Sequence, residues 1–438
     1  MANDFKSIGI NSELENLLKK SGIIIPTPIQ EQAIPQLLQG KDMIAQAYTG
    51  TGKTFAFMLP IMQNIDTSKP YIQSLIITPT RELAIQITEE AKKLAVIKDI
   101  TILAAYGGQD VERQLKKLTN GVHMVIGTPG RILDHIRRGS LDLGHLSTLV
   151  LDEADEMLNM GFLADIEDIM YKTPKRRQTM LFSATMPGQL RDLATKYMKD
   201  PVQIQIQGEN VTLDEIKQVV IETTDRGKLD ALCNIIDQQH PFMAIIFCRT
   251  KTRVKSLNWD LRTRGYNSEE IHGDLSQSKR EHVLKSFRKM EIQLLVATDV
   301  AARGLDIEGI THIFNYDIPR EAESYIHRIG RTGRAGEKGM AFTFVTEKDA
   351  DILRSIERKI AMNIKASKLT NERVGKKKEV SKGDKPSSKD KPSKGDKPGK
   401  KKPDFSGGKE WGNKKKPFGS KNTKKSFTKT NNKKGGRG

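Results

Sequence analysis

The chain has 438 residues, with 73 Lys and Arg against 54 Asp and Glu, and its formal net charge is +19. This length predicts two or three domains with a sizeable core. Two cysteines cannot build a disulfide framework, no Cys/His cluster has zinc spacing, and no apolar run approaches the ~20 residues of a membrane helix. Because the N-terminus carries no secretory signal pattern, we expect a reducing, cytoplasmic location.

Residues 1–206 alternate short, β-branched apolar runs with longer segments of helical period. Runs that are apolar on both faces suit parallel strands covered by helices, so the pattern predicts a doubly wound α/β domain. Examples of the predicted strands are 42–45, 74–78, 123–126, 148–151 and 178–182, and a strand-like stretch follows at 202–206.

The same alternation restarts after a polar connector at 207–214, which we interpret as a linker. Residues 215–365 are therefore predicted to form a second α/β domain, which carries no phosphate-binding loop. Its predicted elements are strands at 244–248, 293–297, 312–315 and 340–344 and a closing amphipathic helix from Lys348 to about Ile360.

Residues 366–438 are rich in Lys, Gly, Ser, Pro and Asn. Residues 371–438 hold 24 basic and 7 acidic side chains, a net charge of +17, so the first 370 residues carry only +2. Such a segment cannot bury enough apolar area to offset the entropy of ordering it, and we predict a disordered basic tail.

Four aromatic rings lie among the lysines of this tail: Phe405, Trp411, Phe418 and Phe427. Cationic segments with occasional rings bind single strands by counterion release and stacking, which favours RNA tethering. A solubilising tail, a basic targeting run and a protein-docking segment are the alternatives.

The run from Ala47 to Thr54, Ala-Tyr-Thr-Gly-Thr-Gly-Lys-Thr, follows a predicted strand and precedes a predicted helix. That context is the one a phosphate-binding loop requires, because its N–H groups and the helix N-terminus face an anion. Lys53 would reach the outer phosphates, and the Thr54 hydroxyl would be a ligand of Mg²⁺. The backbone of the loop would be supplied by Ala47, Thr49, Gly50, Thr51 and Gly52.

Two adjacent carboxylates, Asp152 and Glu153, follow the predicted strand 148–151. Strand C-termini in doubly wound sheets face the ligand crevice, where the phosphate loop also lies. Asp152 can hold Mg²⁺, and Glu153 can orient and deprotonate the attacking water. A solvated acidic turn is the alternative, but the paired motifs predict a nucleoside triphosphatase.

Asp152-Glu-Ala-Asp155, together with Ser183-Ala-Thr185 and the run from His327 to Arg334, resembles the DEAD-box ATP-dependent RNA helicases of superfamily 2. The match spans about residues 5–345, with the motifs in the family's order. The resemblance implies two tandem RecA-like domains, ATP and Mg²⁺ as cofactors and RNA as partner. The compact body suggests a bacterial member.

Pro26-Thr27-Pro28-Ile29-Gln30 is similar to the family's adenine-recognition motif. Gln30 offers one amide donor and one acceptor that suit adenine, which implies a preference for ATP over GTP. The resemblance also implies that Thr27 contributes to the nucleotide site and that Phe5 stacks on the base.

Further motifs resemble the family's contacts with the RNA backbone. In the first domain these are Pro79, Thr80 and Arg81, Gly107 and Gly108, and Thr128, Pro129, Gly130 and Arg131. In the second domain they are Arg249, Thr250, Gly273, Gln277, Arg280 and Thr298. Turns that lead into helices can hold phosphates without reading bases, although each turn alone is also an ordinary helix cap.

The remaining motifs imply how the second domain completes the site of the first. The resemblance makes Arg331 and Arg334 arginine fingers and places Asp306 at the ribose. It assigns Ser183, Thr185 and His327 to coupling between nucleotide and domain closure.

Two other functions remain open from the sequence alone. One is an ATP-dependent DNA helicase. The other is an ATP-gated RNA clamp or scaffold whose tail recruits RNA-decay or ribosome-assembly proteins.

Overall fold

The computed structural model describes residues 4–47, 50–108, 121–206, 216–302, 309–333, 339–360 and 364–367, together with 112, 114, 116, 118 and 307. The linker predicted at 207–214 and the tail from residue 368 onward lie outside the described residues. Among the residues that are described, no helix is both long enough and apolar enough to cross a membrane.

Helices and strands alternate along the chain. The helices are α1 Ser12–Lys20, α2 Pro28–Leu38, α3 Lys53–Asn64, α4 Arg81–Ala95, α5 Pro129–Arg137, α6 Ala154–Asn159, α7 Leu163–Tyr171, α8 Gly188–Tyr197, α9 Lys228–Gln239, α10 Lys251–Thr263, α11 Gln277–Arg288, α12 Asp299–Ala302, α13 Ala322–Ile329 and α14 Ala350–Ile360. Short 3₁₀ turns occupy Lys6–Ile8 and Glu347–Asp349.

Over the described residues, the strands form two sheets of seven strands each. They are β1 Met43–Gln46, β2 Ser74–Ile77, β3 Ile102–Ala105, β4 Met124–Gly127, β5 Thr148–Leu151, β6 Gln178–Ser183, β7 Val202–Gln205, β8 Ile216–Glu222, β9 Ala244–Cys248, β10 Ser268–Ile271, β11 Leu294–Thr298, β12 His312–Asn315, β13 Gly339–Val345 and β14 Lys365–Ser367. The strand orders are β3-β4-β2-β5-β6-β1-β7 and β10-β11-β9-β12-β13-β8-β14.

Each strand pairs in parallel with its neighbours in both sheets. In the first sheet, successive residues of a strand enter different hydrophobic clusters. Ile76 packs in one cluster with Phe182, whereas Leu75 packs in the other with Leu149. Because successive side chains point to opposite faces, the sheet is covered on both sides. The prediction of two parallel-sheet α/β domains is therefore confirmed.

The predicted strands occur within one or two residues of their observed ends, and the closing helix begins at Ala350 instead of Lys348. Four observed strands do not coincide with the runs singled out above: β3, β8, β10 and β14. β10 has the sequence Ser-Glu-Glu-Ile and lies at an edge of its sheet, where only partial burial is needed. β14 pairs with β8 up to Ser367, so the second sheet extends past the predicted domain end at residue 365.

Candidate nucleotide and RNA site

The phosphate loop lies between β1 and α3, as the sequence predicts. Gly50 and Gly52 have φ values of 85° and 90°, a left-handed conformation that glycine adopts at little cost. α3 begins at Lys53, whose side chain is buried and whose Nζ donates to the Ala47 carbonyl oxygen at 2.8 Å. The lysine side chain therefore bonds the start of the loop to the start of α3.

Thr51 and Thr54 of the loop are half-buried, whereas Thr49 lies outside the described residues.

The acidic motif follows β5, and both of its first two carboxylates are buried. Asp152 Oδ1 accepts a hydrogen bond from the Glu153 backbone N–H at 3.0 Å. Burial raises the pKa of Asp152 to about 6, although the nearby charge of Lys53 opposes this shift. Glu153 has a φ of 51°, an uncommon left-handed conformation for a residue other than glycine, and α6 begins directly after it. The Asp152 carboxylate thus lies close enough to Lys53 of the phosphate loop for the two charges to interact.

Gln30 connects the predicted adenine motif to the phosphate loop. Its Oε1 accepts from the Thr27 backbone N–H at 2.9 Å, and its Nε2 donates to the Gly52 carbonyl oxygen at 3.0 Å. An amide has two N–H groups and two acceptor lone pairs, so one of each is left for a base. The arrangement is compatible with the predicted role of Gln30.

The stacking role predicted for Phe5 does not agree with the structure. The ring is fully buried, with 0% of its surface exposed, in a cluster with Ile29 and Ala33. A ring packed on all sides offers no face to a base. Phe5 instead contributes hydrophobic burial beneath α2.

The predicted coupling motif contacts the acidic motif directly. Ser183 Oγ accepts from the Asp155 backbone N–H at 3.2 Å and donates to the Thr185 carbonyl oxygen at 2.6 Å. Asp155 Oδ2 accepts both the backbone N–H and the hydroxyl of Thr185, at 2.8 and 2.9 Å. The end of β6 is thereby tied to the first turn of α6.

The second domain reaches the same helix through His327. Its Nδ1 lies 2.7 Å from Oε1 of Glu156, a buried carboxylate in the first turn of α6. The sequence predicts a coupling role for His327, but it does not indicate Glu156 as its contact. α6 is consequently held by Ser183 and Thr185 on one side and by the second domain on the other.

Of the two predicted arginine fingers, Arg331 is described and is buried, and its Nε donates to the His327 carbonyl oxygen at 3.2 Å. It therefore lies one helical turn beyond the histidine that contacts Glu156, and is bonded to it. Arg334 and Asp306 lie outside the described residues.

The predicted RNA motifs of the first domain follow the C-terminal ends of neighbouring strands. Thr80 caps α4 by accepting the Leu83 N–H at 3.2 Å, directly after Pro79. Thr128 and Pro129 begin α5, with Gly130 exposed in its first turn and Arg131 donating to Gln114 at 3.3 Å. A Cβ added at Gly107 or Gly108 would lie within 3 Å of the Arg81 guanidinium, so these glycines allow the arginine to approach closely.

In the second domain, Thr250 caps α10 by accepting the Arg253 N–H at 3.2 Å, and Thr298 ends β11. Arg249 precedes that cap, and its Nη2 donates to the Ile318 carbonyl oxygen at 3.2 Å. A Cβ added at Gly273 would meet open space. These positions leave exposed helix starts on the second domain.

Gln277 and Arg280, at the start of α11, contact residues of the first domain. Gln277 Oε1 accepts from Arg81 at 3.1 Å. Arg280 forms an ion pair with Glu82 at 2.8 Å, and both side chains are buried. The RNA contact predicted for Arg280 therefore needs correction, because its guanidinium is taken up by Glu82 and by the His272 carbonyl oxygen at 3.3 Å.

These features define the class: two RecA-like α/β domains, of which the first carries a phosphate loop and an acidic motif and the second contacts the helix after that motif. The DEAD/DEAH box helicase family matches residues 27–193, and the helicase conserved C-terminal domain matches residues 227–336. The chain belongs to the DEAD-box family of ATP-dependent RNA helicases, enzymes that hydrolyse ATP and act on RNA.

Bacterial relatives support this assignment. An ATP-dependent RNA helicase CshA of Limosilactobacillus reuteri is 51% identical over 354 residues, which cover 81% of this chain and 71% of the relative. The DEAD-box ATP-dependent RNA helicase CshA of Geobacillus kaustophilus is also 51% identical, with 81% and 76% covered.

Solved structures agree with the fold. S. cerevisiae Dbp5 bound to RNA and ADP BeF3 matches with a TM-score of 0.76 and 32% identity, covering 84% of this chain and 96% of that one. Mss116p bound to single-stranded RNA and AMP-PNP matches with a TM-score of 0.77 and 31% identity, covering 83% and 78%.

Proposed function

We propose that the chain hydrolyses ATP in an RNA-stimulated cycle that separates short RNA duplexes locally and thereby remodels RNA. One observation carries the proposal: the domains touch both beside the acidic motif, through His327 and Glu156, and beside an RNA motif, through Arg280 and Glu82. A single arrangement of the domains thus joins both sets of motifs. Coupling between ATP and RNA requires such a shared arrangement and must be reciprocal.

We propose Mg²⁺ as the companion of the nucleotide, with Thr54 and Asp152 as its protein contacts. When bound, Mg²⁺ neutralises phosphate charge. Asp152 fits a cation because its buried carboxylate, whose pKa is raised to about 6, is ionised more readily beside positive charge. The described residues contain no group of three His, Cys, Asp or Glu suited to a metal ion, so phosphate and water oxygens would complete the shell.

The remaining catalytic roles are assigned to groups on both domains. Glu153 orients and deprotonates the attacking water, and Lys53 pairs with the outer phosphates. Arg331 and Arg334 add positive charge where it develops during phosphoryl transfer, an effect worth about 10³–10⁵ in rate for comparable fingers. Gln30 and Thr27 hold the adenine side, and Asp306 holds the ribose.

RNA would lie across both domains, which we place at residues 1–206 and 215–367, with 207–214 as the linker. The helix starts at Thr80, Thr128 and Thr250 would hold phosphates without reading bases. Two domains that lock at a fixed angle would bend one strand. A bend that A-form geometry cannot follow separates a few base pairs. ATP hydrolysis then returns the two domains to their open arrangement.

The basic tail would keep RNA near the body between cycles by charge and stacking. We further propose RNA-decay or ribosome-assembly proteins as partners. A cytoplasmic location suits the two cysteines, Cys233 and Cys248, which are free and buried.

The test is an RNA titration of ATPase activity with three proteins. We expect the rate of the wild type to rise with RNA, and Lys53→Ala and Glu153→Gln to abolish that activity. Wild-type rates in either variant would contradict the site assignment. ATP-dependent RNA binding without strand separation would instead indicate a clamp, and equal activity on DNA duplexes would indicate a DNA helicase.

Arg331→Ala tests the finger separately. Because the arginine acts on the transferring phosphoryl group, the variant should bind an ATP analogue normally and lose turnover. Loss of nucleotide binding would argue against a finger role.

A further inference from the structure

The two sheets have the same strand order, so positions can be compared between the domains. Adding seven to the number of each strand in the first sheet gives the strand at the same place in the second. β8 therefore corresponds to β1, and β12 corresponds to β5. It follows that α9 stands in the second domain where α3, the helix after the phosphate loop, stands in the first.

Both helices begin with a Gly-Lys pair, Gly52-Lys53 in the first domain and Gly227-Lys228 in the second. Both lysines are buried, with 7% and 3% of their surface exposed. Gly227 has a φ of −83°, whereas Gly52 is left-handed. The second domain thus has a buried lysine at the place of the phosphate-loop lysine, without the loop's backbone geometry.

Two carboxylates of the second domain lie beside the ammonium of Lys228. Lys228 Nζ lies 3.8 Å from Asp317 Oδ1 and 4.0 Å from Asp349 Oδ2. The Gly227 backbone N–H donates to the Thr224 hydroxyl at 3.1 Å. Asp317 follows β12 closely, as Asp152 follows β5. A buried ammonium requires such counter-charges, so the charge of Lys228 is balanced by residues of its own domain.

Asp317 connects this lysine to a predicted RNA contact. Its second oxygen, Oδ2, accepts the Arg249 backbone N–H at 2.9 Å, and the Arg249 side chain returns to the Ile318 carbonyl oxygen at 3.2 Å. Arg253 also approaches Asp317, at 3.8 Å, but from a side chain that is 39% exposed. Lys228 is a buried cation beside this carboxylate, whereas the buried Arg328 donates to the Asp317 carbonyl oxygen at 2.7 Å.

We propose that Lys228 is a positioning residue for RNA binding: its ammonium holds Asp317, and Asp317 holds the Arg249–Thr250 turn against the RNA backbone. The lysine acts through charge inside the domain and touches neither ATP nor RNA. The inference rests on the RNA contact proposed for Arg249.

The experiment measures the Kd of a labelled single-stranded RNA by fluorescence anisotropy with AMP-PNP and Mg²⁺, beside the KM for ATP and the Tm. The variants are Lys228→Met, Lys228→Arg, Asp317→Asn, Arg249→Ala and the pair Lys228→Met with Arg249→Ala. Lys217→Met is the matched control, because Lys217 is an exposed lysine on β8.

We expect Lys228→Met to weaken RNA binding roughly tenfold, since a misplaced contact loses much of its effect. Asp317→Asn should act in the same direction, Lys228→Arg should restore binding, and the KM for ATP should stay within about twofold. The double variant should bind no more weakly than Arg249→Ala, because both changes act on one contact.

Wild-type RNA affinity in Lys228→Met, or a lower Tm with unchanged affinity, would overturn the proposal. If Lys228→Met does not fold, wild-type affinity in Asp317→Asn would overturn it equally. An unchanged affinity in Arg249→Ala would refute the RNA role of Arg249 itself. A weakened Arg249→Ala beside an unaffected Lys228→Met would refute the positioning role alone.

Discussion

Asp152, which we propose as a contact of Mg²⁺, shows how burial of a single carboxylate can be unfavourable for stability. The residue is 3% exposed, and burial raises the pKa of its carboxyl group from 3.8 to about 6. The folded state therefore holds the proton more tightly than the unfolded chain does. The contribution of this residue to stability is present at acidic pH and is lost as the pH rises from about 4 through 6.

The variant Asp152→Asn removes the buried charge and keeps the shape of the side chain. We expect the nucleotide-free variant to be more stable than the wild type, by about 1 kcal/mol more at pH 8 than at pH 5, because the wild-type penalty grows over that interval. Urea denaturation of both proteins at both pH values measures this difference. An equal effect at the two pH values would show that burial does not disfavour the ionised form of Asp152.

At the scale of elements, α6 is the helix at which the second domain contacts the acidic motif of the first domain. Its first turn is bonded to Ser183 at the end of β6, to Thr185 just after that strand and to His327 from α13. If this contact transmits closure, its charge should influence the coupling between ATP and RNA. Glu156→Gln keeps a hydrogen-bond acceptor for His327 and removes the charge.

We expect Glu156→Gln to reduce the ATP-analogue enhancement of RNA affinity roughly fivefold, and the RNA enhancement of analogue affinity by the same factor. Both affinities are measured with and without the other ligand. Glu13→Gln, on the exposed face of α1, is the control. Unchanged coupling would mean that the contact is only structural.

Local motifs could be predicted from the sequence, whereas contacts between distant segments could not. Lys53 and Thr80 act within a few residues of the turn that identifies them. His327 and Glu156 are 171 residues apart, and Arg280 and Glu82 are 198 apart. No spacing rule connects such pairs, because only the packing of the domains brings them together. Phe5 was misassigned for the same reason, since its burial depends on neighbours from α2 and other elements.

At the scale of the whole molecule, charge and catalysis are separated along the chain. Residues 1–370 carry a net charge of +2, and residues 371–438 carry +17. Deleting 371–438 keeps β14 and should leave the ATPase kcat largely intact while RNA binding weakens. If the tail neutralises about six phosphates, the slope of log K against log salt should change by roughly 4. An unchanged slope in RNA-binding titrations would refute tethering.

The claim that ATP hydrolysis drives RNA remodelling is tested most directly by strand separation. The measurement is the release of one strand from a short labelled RNA duplex by the wild type and by Glu153→Gln, each with and without ATP. We predict release by the wild type only with ATP, and no multiple-turnover release by Glu153→Gln. Release by the wild type without ATP, or release by the variant at the wild-type rate, would contradict the claim.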